Sequence, residues 1–242
     1  AGLKVNRFNG YMQDNIHFIG KKADISLQGG VRVNYNDLNK EMLVSPRMQV
    51  SFKPNWKKDM LFKAAAGMYN QPPFYRELRK PDGSLNKDVK SQKRIQFVAG
   101  MDYSFKGPAG RPFRFTTEAY YKQMKDVVTY DVDNVKVRYA GFNNAKAYTT
   151  GVEFRLFGEL VEDAESWFSL AFMRSREDIQ NDFYYQYKNA AGEIIGPQTP
   201  DQVVTDSVKN NVGWVRRPAD RLITAGLYLE DYLPTNKNFK VH

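Results

Sequence analysis

Cysteine is absent from the 242-residue chain, and only two histidines, His17 and His242, occur. The first absence excludes disulfide frameworks, iron–sulfur clusters, Cys-ligated zinc and cysteine nucleophiles. Two histidines so far apart in sequence do not predict a metal site, and the chain has no zinc-protease, phosphate-loop or nucleophile-elbow motif. The sequence therefore predicts neither an enzyme nor a bound metal or cofactor.

No run of eighteen apolar residues occurs, so no transmembrane helix is predicted. This absence leaves β-barrel membrane proteins open, because their strands alternate apolar and polar side chains. Residues 1–20 are polar and mixed, so we expect any secretion signal to lie upstream or to have been removed. The net charge is +9, but the basic residues form no single stripe, so no nucleic-acid partner is predicted.

The strongest pattern in the sequence is alternation of apolar and polar residues, which is clearest from Ile25 to Tyr35. A period of two is typical of β-strands with one apolar face. Further strands are predicted at 47–53, 95–105, 113–130, 135–157 and 223–229, with weaker ones at 7–18, 60–69, 166–174 and 238–242. About ten antiparallel strands are expected in all, and residues 159–165 could form at most one helical turn.

The predicted connections alternate between short and long. The short connections are 19–23, 54–59, 106–112, 158–165 and 230–237, and the long ones are 36–44, 70–94 and 177–220. Connection 131–134 is tight, but its flanking strands, 113–130 and 135–157, are unusually long. Outer-membrane barrels have short periplasmic turns and long extracellular loops. The pattern therefore favours a membrane barrel over a soluble β-sandwich.

Alternation alone does not say which face of the sheet lies inside. In a membrane barrel the apolar side chains of Val31, Phe97 and Leu227 would face lipid. The charged residues of the polar faces would then line the lumen, and these are Arg32, Arg47, Glu118, Glu153 and Arg155. In a soluble protein the same residues would be solvated surface.

Two long loops combine aromatic residues with arginine, which is a composition typical of ligand-binding surfaces. The candidate ligand-binding residues are Gln71, Phe74, Tyr75 and Arg76 in the first loop, and Tyr184, Tyr185, Trp214 and Arg216 in the second. The alternative is that these side chains pack the loops against each other. Basic loops of an outer-membrane barrel are also suited to binding lipid phosphates.

Several motifs, in order along the chain, resemble the C-terminal half of TonB-dependent outer-membrane receptors. Their amino-acid sequences most resemble those of receptors of the Bacteroidota. They are Gly30–Tyr35, Ser45–Arg47 with Phe52–Pro54, Gly67–Leu78, Gln92–Phe105, Glu118–Val128, and Gly141–Ala145 with Gly151–Glu153.

The resemblance implies an all-β, antiparallel transmembrane β-barrel, with about ten strands present of a probable 22, and a plug domain. Residues 1–242 are then interpreted as part of the C-terminal barrel domain, with the plug not in this chain. The implied protein is a multi-pass receptor of the cell outer membrane that imports a nutrient. Implied partners are the TonB energy-coupling complex, outer-membrane lipid and lipopolysaccharide, a surface lipoprotein, and a small-molecule, glycan or peptide ligand.

Two other functions fit the residues. One is a complete small outer-membrane barrel with a structural or adhesive role, and the other is a soluble carbohydrate-binding β protein. A plug domain in the complete sequence would distinguish the receptor from the first. Dependence on detergent would distinguish it from the second.

Overall fold

The computed structural model describes residues 4–162, 164–233 and 236–241. Strands dominate these ranges, and a single 3-10 turn occurs at Pro108–Gly110. The strands are β1 (Arg7–Ile19), β2 (Ala23–Asn36), β3 (Glu41–Pro54), β4 (Asp59–Gln71), β5 (Gln92–Lys106), β6 (Pro112–Asp133), β7 (Lys136–Val161), β8 (Ala164–Ile179), β9 (Phe183–Lys188), β10 (Asp206–Asn211), β11 (Trp214–Arg216), β12 (Ile223–Tyr228), β13 (Asp231–Leu233) and β14 (Asn236–Val241).

Strands β1 to β8 form an antiparallel meander in which each strand pairs with the next along the chain. Strand β8 then pairs with both β11 and β12, which completes a ten-stranded sheet. Strands β9 and β10 form a separate hairpin, as do β13 and β14. The prediction of an all-β antiparallel fold with about ten strands is confirmed.

Three details of the sequence prediction change in the structure. Residues 159–165, for which the sequence allowed at most one helical turn, lie mainly in strands, because β7 continues to Val161 and β8 begins at Ala164. The connection 177–220 is not irregular throughout, since it contains the β9–β10 hairpin and β11. The last strand begins before Asn238, as part of β14, and its predicted end at His242 lies outside the described residues.

Pairing between neighbouring strands extends the two-faced pattern across the whole sheet. One apolar row runs through register partners on β3 to β8: Val50, Ala64, Ala99, Ala119, Val152 and Phe172. Phe97 and Leu227 on this face are 53 % and 64 % exposed, so the apolar face is not a dry core. An exposed apolar surface of this extent marks contact with a partner or a membrane.

The buried side chains gather instead at the end of the sheet that carries the long connections. Leu78, Val89 and Val128 form one buried cluster there, with Leu38 and Tyr139 packed against it. A second cluster contains Val127, Ala145 and Ala147. Within the described ranges, no helix has the length and apolar character needed to cross a membrane.

Candidate functional site

The connection between β4 and β5 is held in place by its neighbours. The side-chain amide of Asn39 donates to the carbonyl of Val89 at 3.0 Å, which joins this loop to the β2–β3 turn. The side-chain amide of Asn86 donates to the carbonyl of Gly141 on β7 at 2.9 Å. Two connections and the adjoining part of β7 therefore form one ordered cap, which we call the loop cap, at this end of the sheet.

The loop cap presents three of the predicted ligand-binding side chains to solvent: Phe74, Tyr75 and Arg76. Next to them, the buried carboxylate of Glu77 accepts hydrogen bonds from the Phe74 backbone N–H and from Gln92, both at 2.8 Å. Burial raises the pKa of Glu77 above its ordinary value. The exposed residues thus lie on a backbone fixed by a buried anchor, and Gln71 lies just before them as the last residue of β4.

The other four predicted residues lie in two further places. Tyr184 and Tyr185 are exposed on β9. Trp214 and Arg216 belong to β11, which corrects their assignment to a loop. Arg216 is the register partner of Arg176 on β8, and that position continues the apolar face. Trp214 and Arg216 therefore belong to the main sheet, whereas Phe74, Tyr75 and Arg76 belong to the loop cap.

The β9–β10 hairpin carries an exposed aromatic stripe. Phe183 and Tyr185 have ring centroids 5.6 Å apart, and Tyr185 and Tyr187 have centroids 6.4 Å apart. The ammonium group of Lys209 lies 3.8 Å from the Phe183 ring centroid. This arrangement offers flat apolar surfaces to a ligand, while the internal cation–π contact with Lys209 supports the Phe183 ring.

The polar face of the sheet brings together the five charged residues predicted for the lumen, since Arg32, Arg47, Glu118, Glu153 and Arg155 occupy register positions on one side. A depression of about 580 Å³ on β1 to β4 is lined by Arg32, Arg47 and several glutamines. The guanidinium carbons of Arg47 and Arg94 lie 4.3 Å and 4.8 Å from the Tyr69 ring centroid. The Nε atom of Arg94 is buried and has no hydrogen-bond partner among the described residues.

Two carboxylates face each other on the same polar side. Glu118 on β6 and Glu153 on β7 are direct register partners. Like charges in this position destabilise a sheet unless a cation lies beside them. Arg155 lies 3.7 Å from Glu153, and the Tyr120 hydroxyl is hydrogen-bonded to Glu153. The Lys122 ammonium interacts with both carboxylates, so neighbouring groups compensate this pair.

The described ranges contain no group of three or more histidine, aspartate or glutamate residues placed to bind a metal ion. The geometry instead consists of a two-faced wall, a fixed loop cap and a polar side on which the buried Nε of Arg94 has no hydrogen-bond partner among the described residues. Residues 1–228 match the family model for the TonB dependent receptor-like β-barrel. The chain belongs to this family. Neither a curated protein nor a solved structure gives a significant match.

Membership in the receptor family indicates what each face of the sheet contacts. Receptors of this family are outer-membrane barrels, and in such barrels the apolar faces of the strands contact lipid, the short connections are periplasmic and the long ones extracellular. The family therefore predicts that the polar face lines the lumen and that the loop cap and the aromatic stripe are extracellular.

Aromatic side chains on the apolar face of the receptor cluster at two heights along the strands. Tyr121 and Tyr148 stack at 6.4 Å near the extracellular end, and Phe105 and Phe113 stack at 5.8 Å at the other end. On β7, Tyr148 and Gly158 are ten residues apart, which spans about 26 Å along the membrane normal for a strand tilted by about 40°. This distance matches the apolar band of an outer-membrane barrel.

Sequence reasoning missed Arg94 and Tyr69 as lumen residues of the receptor. Arg94 lies two positions before Gln96 on the polar side of β5, so the alternation itself could have identified it. The predicted strand began at residue 95, one residue too late. Alternation in the predicted strand 60–69 already places Tyr69 on the polar side with Lys63, but only the structure places its ring beside two arginines.

Replacing Gly141 by alanine should loosen the loop cap of the receptor. Gly141 has φ +80°, and a Cβ there would lie 2.7 Å from the Lys80 Cα. We expect a loss on the order of 1–2 kcal/mol in loop stability and faster trypsin cleavage after Arg79. Gly83→Ala is the control, because Gly83 has φ +84° with no atom near its Cβ position. Equal cleavage of the two variants would contradict the proposed clash.

Proposed function

We propose that this chain forms part of the barrel domain of an outer-membrane receptor that binds a nutrient with its extracellular loops and imports it through a plugged lumen. The buried Nε of Arg94 on the polar face, which has no hydrogen-bond partner among the described residues, is the observation that carries the proposal. A buried donor of this kind is suited to binding an acceptor from another chain segment. We propose a plug domain as that segment, and the TonB complex as its energy source.

Ligand capture is assigned to the loop cap and the aromatic stripe. Phe74, Tyr75 and Arg76 are exposed on a backbone that is already ordered. Ordering a surface before binding lowers the entropy lost on binding. Tyr184 and Tyr185 on the β9–β10 hairpin supply further exposed aromatic surface. The proposed nutrient is a small molecule, a glycan or a peptide, and a surface lipoprotein is a proposed partner.

Nutrient uptake in cells tests this proposal. A strain lacking the full-length receptor would be grown on single sources from a panel of ferric chelates, cobalamin, oligosaccharides and peptides. We expect loss of growth on one source, restoration by the wild-type gene, and abolition of uptake by a protonophore. The triple variant Phe74→Ala/Tyr75→Ala/Arg76→Ala should restore uptake at least tenfold less well than wild type.

The matched control is Lys57→Ala/Lys58→Ala, which alters two exposed residues in the β3–β4 turn at the opposite end of the barrel. This variant should restore uptake fully. Uptake that persists with the protonophore, or a deletion strain that grows normally on every source, would contradict the receptor function. Such results would favour a barrel with a structural or adhesive role.

A further inference from the structure

The lipid-facing side of the wall contains an apolar trough of about 850 Å³ across β3 to β8. Small side chains form its floor: Ala64, Ala66, Ala99 and Ala119. Larger side chains line the same trough, including Met48, Phe97, Tyr121 and Phe172. Its volume is in the range of pockets that enclose small ligands. A depression of this kind on the lipid side is suited to an acyl chain.

Cationic side chains lie at one end of this trough, toward the extracellular side. Arg174 lines the trough and is the register partner of Thr150. Arg176 lies two residues further along β8, where its register partners are Tyr148 on β7 and Arg216 on β11. Residues two apart on a strand share a face. The three arginines therefore all lie on the lipid-facing side.

The charge of these arginines is largely uncompensated. Arg174 and Arg176 form no ion pair within the described residues, and Arg216 reaches Asp220 only at 3.9 Å, with most of its side chain exposed. Arg176 and Arg216 are direct register partners, and like charges so placed are destabilising. An anion shared between them would remove this repulsion.

Aromatic rings place the arginines at the level of the lipid headgroups. The rings of Tyr148 and Trp214 are in contact, with centroids 5.0 Å apart, and Tyr148 also stacks on Tyr121. Tyrosine and tryptophan concentrate at membrane–water interfaces. The cationic end of the trough is therefore where phosphate groups of the outer leaflet would lie.

We propose that Arg174, Arg176 and Arg216 bind the phosphate groups of a phosphorylated outer-leaflet lipid, with one of its acyl chains in the trough. Guanidinium groups bind phosphate oxygens through paired, charge-assisted hydrogen bonds. The bound lipid would neutralise the Arg176–Arg216 pair and cover the alanine floor. The inference rests on the outer-membrane location alone and does not depend on which nutrient is imported.

Native mass spectrometry of the full-length receptor in detergent micelles tests the proposal, with bis-phosphorylated lipid A as the probe. We expect the variant Arg174→Gln/Arg176→Gln/Arg216→Gln to bind the probe at least tenfold more weakly than wild type. Lys21→Gln/Lys57→Gln/Lys58→Gln removes the same charge at the periplasmic turns, so its affinity should be unchanged. Ala119→Phe, which fills the trough, should weaken binding at least threefold.

Folding of each variant is checked by heat-dependent migration on gels. If the glutamine variant does not fold, the variant Arg174→Lys/Arg176→Lys/Arg216→Lys is compared with the periplasmic control instead. We expect its affinity for the probe to fall about threefold. Dephosphorylated lipid A should bind at least tenfold more weakly. Equal binding by the glutamine variant, or equal binding of the dephosphorylated probe, would overturn the proposal. Full competition by equimolar inorganic phosphate would show a general anion site and would overturn it as well.

Discussion

Arginine in place of Ala99 should destabilise the folded barrel by about 2–4 kcal/mol, which is the usual cost of this charge at the lipid midplane. Ala99 lies at the centre of β5, and its register partners Ala64 and Ala119 are also small and apolar. A guanidinium group there would have neither water nor a carboxylate beside it.

The adjacent residue Val98 provides the matched control, because its side chain lies on the opposite face of the same strand. Val98 borders a polar depression that also contains Glu118 and Lys63. Val98→Arg should therefore cost less than about 1 kcal/mol, since the new charge meets water and a carboxylate.

Urea unfolding of the full-length receptor, refolded into phosphatidylcholine vesicles, measures both values. Similar losses for the two variants would contradict the assignment of lipid and lumen faces. A larger loss for Val98→Arg would reverse that assignment. Because two neighbouring residues are compared, differences in strand propensity and depth in the membrane largely cancel.

Methionine in place of Arg217 should cost about 3–5 kcal/mol, because it leaves a buried carboxylate without its partner. The Nε of Arg217 donates to Glu177 at 3.0 Å, and the two side chains are only 17 % and 6 % exposed. This ion pair joins β8 to the chain that follows β11, where the Arg217 backbone N–H also donates to the carbonyl of Ser175.

The double variant Arg217→Met/Glu177→Gln distinguishes the contribution of the ion pair to stability from that of side-chain packing. It removes the unpaired charge, so we expect it to recover more than half of the lost stability. Hydrogen exchange of the segment 206–222 in the full-length receptor is the measurement. If the double variant exchanged as fast as Arg217→Met, packing of the Arg217 side chain, rather than the charge of Glu177, would explain the loss.

The two arginines at 216 and 217 show how neighbouring residues at the end of β11 serve both sides of the wall. Arg217 makes its ion pair on the polar side, whereas Arg216 lies on the apolar side beside Arg176. In sequence they are a simple basic pair. Their opposite roles follow from the two-residue period of the strand once its pairing with β8 is known.

The sequence by itself determined the strand periodicity and the division of each strand into an apolar and a polar side. Residues 25–35 and 95–105 could be assigned to strands with two distinct faces, because the period of two is a local property of the chain. The motifs from Gly30 to Glu153 also predicted the receptor family, which the family match confirms.

Only the tertiary structure decided which distant residues meet. Glu177 and Arg217 are 40 positions apart, and the contact of Gly141 with Lys80 depends on how the loop cap folds over β7. The register of β11 places Trp214 and Arg216 on the apolar face of the sheet rather than in a loop. Periodicity carries no information about such contacts, because they depend on strand register and loop packing rather than on the order of neighbouring residues.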